Sequence, residues 1–297
     1  MVDVECVLEI RGGGGPAGEC PVWSADEQRL YWIDIDGPSV NRFDPATGKN
    51  EACPLAEQIG SFALRERGGL LIATRSGFHF LDFDTGKREA VVDPEPLLPD
   101  NRMNDGRCDP AGRFWCGSMR DPQDPRVVAA SLYRLDAELK CTKMLGGLIT
   151  SNGLAFSPDA RKMYLSDSNV AVETIWTFDF DVERGTIRNR RVFATTRDLP
   201  GRPDGGCCDE EGFYWSAIVD GGLIARFAPD GRVERTIRTP VRSPSMVAFG
   251  GDKLDVLFIT SIRRGGAAKE WPDQPLAGSL FACEPGLRGL REPRFRG

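Results

Sequence analysis

Short apolar runs alternate with polar turns along the whole chain, and the pattern repeats. The stretch from Asn152 to Asp167, N-G-L-A-F-S-P-D-A-R-K-M-Y-L-S-D, aligns without a gap with the stretch from Glu19 to Asp34 and shares its serine, tyrosine and two aspartates. Two strand-like runs flank a turn in each stretch, which is typical of a β-hairpin.

This block occurs six times, at steps of 41 to 52 residues, an interval typical of propellers and solenoids. Asp/Pro/Gly turns such as F-D-P-A-T-G from Phe43 indicate a second hairpin in the repeat. Helical repeats are disfavoured because no segment sustains a 3.6-residue apolar period. The sequence therefore predicts an all-β fold, a six-bladed β-propeller with four antiparallel strands per blade, in which residues 1–297 form a single domain.

The first strand-like segment, Val2 to Ile10, precedes the first repeat and has no partner there. An unpaired strand edge favours aggregation, and propellers close their ring by pairing the two ends of the chain. We expect this N-terminal strand to pair with the last blade, near Leu280 to Cys283.

Composition narrows the class of partner. The net charge is -6, no basic stripe is present and no apolar run is long enough to span a bilayer, so neither nucleic acid nor membrane is an expected partner. No secretory signal is visible at the start, and a cytoplasmic protein is expected.

Nine cysteines without a C-x-x-C pair indicate reduced thiols; of Cys207 and Cys208, one is expected to be buried and the other partly exposed. The basic tail from Arg288 is expected to be solvated.

The first residue of every block is polar, and we call these six the leading residues. Repeat symmetry predicts that they surround the central channel at one depth. Oxygen donors of this kind suit hard divalent cations such as calcium, magnesium or manganese. A solvated channel lining would explain the serines and asparagines, but two acids near one axis favour a cation. The leading residues are Glu19, Ser61, Asn104, Asn152, Asp204 and Ser245.

Histidine chemistry is excluded, since the chain has one histidine, His79, which lies between two phenylalanines in a strand-like run. A Ser-His-Asp triad and a three-histidine zinc site both need imidazoles that are absent. Any catalysis must therefore use carboxylates and a metal ion. Three long connections are expected to lie over the same end of the channel: Met119–Ala130, Ser168–Glu173 and Arg263–Gly278.

Four segments together resemble the SMP-30/gluconolactonase/LRE-like family of regucalcin and sugar lactonases. They are G-E-C-P-V-W at Gly18, R-M-N-D-G-R-C-D-P-A-G-R-F-W-C-G-S-M at Arg102, S-N-G-L-A-F-S-P-D at Ser151 and R-P-D-G-G at Arg202. The resemblance runs in order from about Glu5 to the end of the chain.

The resemblance implies a six-bladed propeller that holds one divalent metal ion (Ca, Zn, Mn, Mg or Fe(II)) and hydrolyses a small-molecule sugar lactone. It implies Glu19, Asn152 and Asp204 as metal ligands, with Asp204 also the catalytic general base. It also implies substrate binding by a nearby set: Arg102, Asn104 and Asp105.

Two departures from the family pattern stand out. Cys20 occupies a position where the family usually has glycine, and the loop after Met119 lacks the glutamate that regucalcin places over its substrate. Two alternatives stay open. One is a non-catalytic calcium-binding or protein-docking propeller, because L-Y-W-I-D at Leu30 also resembles the repeat of extracellular ligand-binding propellers. The other is hydrolysis of another ester or phosphoester.

Overall fold

Six four-stranded antiparallel sheets make up the described part of the chain, which in this computed structural model is residues 2–10, 16–263 and 273–297. Each sheet is one blade, and the blades follow one another in sequence. Blade 1 holds β2 (Gly18–Ser24), β3 (Arg29–Asp34), β4 (Ser39–Asp44) and β5 (Lys49–Pro54); blade 2 holds β6 (Ile59–Leu64), β7 (Leu70–Thr74), β8 (Gly77–Leu81) and β9 (Arg88–Val92).

The next two blades have the longest strands. Blade 3 holds β10 (Asn101–Cys108), β11 (Phe114–Arg120), β12 (Ala130–Leu135) and β13 (Cys141–Leu148); blade 4 holds β14 (Ser151–Phe156), β15 (Lys162–Asp167), β16 (Thr174–Asp181) and β17 (Thr186–Thr195). Blade 5 holds β18 (Arg202–Cys208), β19 (Tyr214–Val219), β20 (Leu223–Phe227) and β21 (Val233–Arg238).

Blade 6 joins the two ends of the chain. It contains β22 (Pro244–Gly250), β23 (Val256–Ser261) and β24 (Leu280–Cys283), and its fourth strand is β1 (Glu5–Leu8). Strand β1 runs antiparallel to β24, with Glu5 opposite Ala282. The first strands of successive blades contact one another around the channel, and β22 contacts β2. The predicted six-bladed propeller and its closure by the N-terminal strand are therefore confirmed.

Burial falls from the channel outward. All residues of β6, β14 and β22, which are first strands, are buried, whereas the fourth strand β9 has only half-buried and exposed residues and β21 is largely exposed. Both faces of a first strand are shielded from solvent because neighbouring blades pack against them. Apolar contacts therefore join adjacent blades: Trp115 of blade 3 packs edge-on against Phe156 of blade 4, with ring centroids 6.1 Å apart.

The turn between the first two strands is held by an aspartate in blades 3 and 5. In each blade the aspartate accepts a hydrogen bond from the indole of the tryptophan six residues later. Asp109 accepts from Trp115 and Asp209 from Trp215, both at 2.8 Å. The glycine of the first turn, Gly112, has φ +79°, a conformation that L side chains rarely adopt. The D-x-x-G spacing therefore encodes these hairpins.

The C-terminal tail is packed, and the expectation that it is solvated was wrong. Phe295 is fully buried, and its N–H donates to the carbonyl of Leu64 at 2.8 Å. Glu292 accepts a hydrogen bond from Arg107 on the first strand of blade 3 at 2.9 Å. The tail crosses the end of the channel where the first strands finish, because backbone and side-chain partners from several blades bind it there.

The thiols are all unbridged, and Cys207 and Cys208 are both buried. The expectation that one of them is partly exposed was wrong, because neighbouring blades cover both faces of a first strand. Burial raises the pKa of the Cys207 thiol to about 12. In the part of the chain that the structure describes, no helix has the length and apolar character needed to cross a membrane.

Candidate active site

A polar pocket opens at the end of the channel where the first strands begin. Four leading residues line it, and its volume is about 290 Å³, close to the lower limit of roughly 300 Å³ usual for small-molecule sites. Residues up to 185 positions apart in the chain meet here because each occupies the same place in its blade. The four are Glu19, Asn104, Asn152 and Asp204.

A break in strand register directs these side chains into the channel. In all six blades the pairing of first and second strand shifts at or next to the leading residue, for example between Asn152 and Ala155 in blade 4. Such a bulge turns the local side chains away from the regular alternation. Gly153 has φ +61°, and a Cβ there would lie 2.4 Å from the Tyr214 hydroxyl oxygen, so the bulge needs glycine at this position.

Hydrogen bonds join the pocket residues into a chain around the channel. Arg102 Nη1 donates to Asn104 Oδ1 at 2.8 Å, and Asn104 Nδ2 donates to Asn152 Oδ1 at 2.6 Å. Asn152 Nδ2 donates to Asp204 Oδ1 at 2.5 Å and also to the Ser168 hydroxyl. Each side chain orients the next, so the site is held in one arrangement before any ligand binds.

The two serines among the leading residues do not line the pocket. Ser61 Oγ donates to the Asn104 carbonyl at 2.6 Å, and Ser245 Oγ donates to the Gly18 carbonyl at 2.5 Å. Both are fully buried. The prediction that all six leading residues surround the channel in the same way was therefore too broad, because a short hydroxyl side chain bonds to the backbone of the adjacent blade instead.

Asp105 also lies away from the pocket wall. Its Oδ2 accepts the N–H of Leu154 at 2.9 Å, and its side chain is buried between blades 3 and 4. Burial raises the pKa of this carboxyl above its usual range. Asp105 thereby supports the backbone that follows Asn152, and the substrate contact implied for it stays a prediction.

The carboxylates of the pocket repel one another. Burial, followed by the charges of Asp204 and Asp105, raises the pKa of Glu19 well above its ordinary value. A divalent cation would relieve this cost, since it neutralises two carboxylates at once. Among the described residues no three His, Cys, Asp or Glu side chains form a metal-binding group, so a shell here would consist of two carboxylates and the amide oxygen of Asn152.

The amide of Asn152 fits that role chemically. Its Oδ1 accepts one hydrogen bond from Asn104, and an amide oxygen has a second lone pair. Two carboxylates and an amide provide oxygen donors only, which suits hard cations. The donor set of Glu19, Asn152 and Asp204 is therefore compatible with the predicted cation.

Arg102 is buried at the pocket wall beside an acid from the loop after β11. Its Nε lies 3.6 Å from Asp121 Oδ2. Burial lowers the pKa of the guanidinium, and Asp121 opposes that change. The end of β11 supplies Met119 to the lining, the loop after it supplies Gln123, and the loop after β15 supplies Ser168. Two of the three predicted loops thus reach the site; residues 264–272 of the third lie outside the described residues.

Several pocket residues were not predicted from the sequence. Arg202 and Thr150 line the pocket and stand two places before a leading residue, as Arg102 does. Extending the repeat alignment by two residues would have found them. Asp121 and Gln123 lie inside the predicted loop Met119–Ala130, but the repeat alignment does not single them out because loop residues have no counterparts at the leading positions.

A second cavity, of about 260 Å³, lies at the other end of the channel under the C-terminal tail. Its wall includes Trp23, Phe249 and Leu290, and its main charges are the paired Arg107 and Glu292. The lining also includes Cys108, Cys207 and Cys208, but burial raises the pKa of each thiol, so none is a ready nucleophile, and the lining has one carboxylate. The chemistry therefore favours the pocket at the start of the first strands.

Comparison with known proteins identifies the family of the chain. Residues 17–263 match the family described as the SMP-30/gluconolactonase/LRE-like region. The chain belongs to this family. It is 44% identical to a 6-deoxy-6-sulfogluconolactonase of Pseudomonas putida over 94% of this chain and 95% of that one. It is 33% identical to an L-arabinolactonase of Azospirillum brasilense over 94% and 92%.

A solved structure also matches over the full length. The chain superposes on a calcium-binding protein, regucalcin, from Agrobacterium tumefaciens with a TM-score of 0.90 and 26% identity, covering 100% of this chain and 98% of that one. The resemblance drawn from the four sequence segments is therefore confirmed at the level of family and fold.

The departure at Cys20 has a structural meaning. Cys20 has φ +49°, in the left-handed region that glycine adopts without cost. Gly153 holds the equivalent place in blade 4 and has a similar φ. Cysteine is accommodated because its side chain is buried in the apolar cluster between blades 1 and 2. The backbone next to Glu19 thus keeps the conformation that glycine would give it.

Proposed function

We propose that this protein is a lactonase that uses one divalent cation to hydrolyse an aldonolactone to the open aldonic acid. The main support is the convergence of Glu19, Asn152 and Asp204 with Arg102 and Asn104 on one pocket. Relatives 33–44% identical to the chain are named as lactonases of different sugars. Their names share a sugar lactone but differ in its length and substituents, so the common substrate class is the aldonolactone.

Glu19, Asn152 and Asp204 would hold the cation. When bound, a divalent ion at such a site supplies positive charge to the lactone carbonyl and lowers the pKa of a coordinated water. Calcium, manganese, magnesium, zinc and iron(II) are the candidates.

Asp204 is the proposed general base. Asn152 donates to its Oδ1, which orients the carboxylate toward the pocket it lines. In the reaction Asp204 accepts a proton from the attacking water, whose oxygen forms a bond to the carbonyl carbon. The ring C–O bond then breaks, and the released alkoxide takes up the proton. Positioned base catalysis of this kind contributes about 10² to 10⁴ in rate.

Arg102 and Asn104 are the proposed substrate-binding pair. Arg102 fixes the Asn104 amide through Asn104 Oδ1, and both side chains line the pocket. Asn104 Nδ2 already donates to the Ser151 carbonyl and to Asn152 Oδ1, so Asn104 would accept a hydrogen bond from a substrate hydroxyl through Oδ1. The N–H groups of Arg102, held at fixed positions, would stabilise negative charge that develops on a lactone oxygen, because they need no reorganisation during the reaction.

The test begins with protein stripped by a chelator and refilled with one cation at a time. Acid release from glucono- and pentonolactones is followed at constant pH. Activity is expected only after refilling, and Asp204→Asn should lower kcat by about 10² to 10⁴ while the melting temperature in chelator stays within a few degrees of wild type. Asp230→Asn, at an exposed turn of the same blade, is the matched control. Absence of turnover with every cation would rule out the enzymatic proposal.

A second candidate is calcium binding without catalysis. The observation in its favour is the solved relative described as a calcium-binding protein. This candidate predicts calcium binding by calorimetry with no lactone turnover. Asp204→Asn would then weaken binding and change no reaction rate.

A further inference from the structure

A second layer of side chains lies above the oxygen donors of the pocket. These upper positions stand two residues before a leading residue, and four of them line the pocket: Ala17, Arg102, Thr150 and Arg202. The last three come from blades 3, 4 and 5, which are consecutive, so Thr150 lies between the two arginines. Hydrogen-bond donors therefore form an arc on one side of the pocket, above the proposed cation ligands.

Arg202 is fixed in this arc from two sides. Its Nη2 donates to Asp220 Oδ2 at 2.8 Å, and its Nη1 donates to the Ser168 carbonyl at 2.9 Å. Ser243 Oγ in turn donates to Asp220 Oδ1 at 3.0 Å. Only 13% of the Arg202 side chain is exposed. Within the described residues these contacts use two of the five N–H groups of the guanidinium, so others remain for a ligand at the pocket wall.

The neighbours of Arg202 in the arc are also incompletely bonded. Among the described residues, the buried Thr150 Oγ1 and Arg102 Nε have no hydrogen-bond partner. Such buried polar atoms are uncommon and need an explanation. A hydroxyl between two guanidinium groups suits an anionic acceptor with several oxygens. The charged guanidinium is planar and donates two parallel N–H groups, a geometry that matches the oxygens of such an anion.

The charges of the wall are arranged unevenly. Asp121 is shared between Arg75, at 2.8 Å, and Arg102, at 3.6 Å. Asp220 pairs with Arg202, and Asp36, which follows the second strand of blade 1, also lines the pocket. Both arginines of the lining thus come from blades 3 and 5, whereas the charged lining residues of blade 1 are acids.

We propose that Arg202, with Thr150 beside it and Arg102 at the border, is the specificity subsite for an anionic substituent of the lactone. The substituent is a sulfonate, phosphate or carboxylate on the carbon farthest from the lactone carbonyl. This inference rests on the proposed function, because a lactone bound at the lower oxygen donors would extend its far end to the upper positions.

The main experiment compares four lactones on the cation-loaded protein. Gluconolactone is neutral, and the other three carry a sulfonate, a phosphate or a carboxylate at carbon 6. At least one charged lactone is expected to have a kcat/KM about 10-fold or more above that of gluconolactone. Which of the three leads identifies the source of the negative charge.

Substitution of Arg202 tests the residue itself. Arg202→Gln is expected to lower the ratio of kcat/KM for the preferred charged lactone to that for gluconolactone by roughly 10- to 100-fold. Arg202→Lys keeps the charge but loses the fork and should have an intermediate effect. Arg238→Gln removes an exposed arginine of the same blade and should leave the ratio unchanged. Equal losses on charged and neutral lactones, or a wild-type preference for gluconolactone, would overturn the proposal.

Two further measurements keep the outcome clear. Arg202→Gln leaves Asp220 without the guanidinium that pairs with it. The double variant Arg202→Gln/Asp220→Asn is therefore compared with the single variant Arg202→Gln, both by melting temperature and in the same kinetic assay. Calorimetry with the aldonic acid products separates this proposal from the proposed function. If no lactone is hydrolysed but the carbon-6 anionic product binds more tightly than gluconate, and Arg202→Gln removes the difference, the lactonase proposal fails and the subsite stands. Equal binding of both products overturns the subsite.

Discussion

Removing one carboxylate from the pocket should stabilise the protein when no cation is present. Glu19 has a pKa raised by burial and by the charges of Asp204 and Asp105. Its ionised form therefore costs folding free energy, because one unit of pKa displacement corresponds to about 1.4 kcal/mol. Glu19→Gln removes the charge and keeps the size of the side chain.

We expect Glu19→Gln to raise the stability of chelator-treated protein by about 1–3 kcal/mol at pH 7, and its melting temperature by roughly 2–5 °C. The sign of the pH dependence follows from the raised folded pKa. The cost of ionised Glu19 is absent below the unfolded pKa of about 4.3. It grows as the pH rises to the folded pKa and is constant above it. The difference between variant and wild type should therefore vanish near pH 4.

Added cation should reverse the order. At a concentration 100 times Kd a ligand stabilises the wild type by about 2.7 kcal/mol, and Glu19→Gln should gain much less because it lacks one charged donor. Thermal denaturation in chelator, calcium and manganese measures both effects. Glu210→Gln, at an exposed position, is the control and should follow the wild type throughout. A variant that melts below the wild type in chelator would refute the reasoning, since Glu19 would then be stabilised by protein groups alone.

Three other substitutions test single contacts. Asp105→Ala leaves the buried Leu154 N–H without its acceptor and should cost about 1–3 kcal/mol in urea unfolding, with most of it recovered in Asp105→Asn; equal losses would contradict the bond's importance. Cys20→Val should cost at least about 1 kcal/mol more than Cys20→Gly in thermal denaturation, because a β-branched residue is strained at φ +49°. Phe295→Ala should cost about 3–5 kcal/mol, since its ring is fully buried; a loss below about 1 kcal/mol would show that the tail is not part of the fold.

Much of the fold follows from local pattern. Each hairpin is encoded by its own apolar runs and its own turn, so the repeat at Glu19 and the repeat at Asn152 could be aligned without knowledge of their neighbours. Ring closure was predictable for a related reason, because the segment from Val2 to Ile10 had strand character and no partner in its own repeat. The polar leading residues followed from the same alignment.

The direction of each side chain did not follow from that pattern. Ser61 and Asn104 hold equivalent places and both donate to a backbone carbonyl of the adjacent blade, yet of the two only Asn104 also lines the pocket. The basic composition of the tail suggested solvent exposure, although Glu292 and Phe295 have partners on the other blades.

The sequence alone therefore determined the number of blades, their order, the closing strand and the polar residues that begin each blade, because these depend on short-range periodicity. Tertiary structure decided which of those residues meet, that Asp105 supports a backbone and does not face the pocket, and that Arg202 joins Arg102 above the oxygen donors. These outcomes depend on bulges and on contacts between blades, which join residues far apart in the chain.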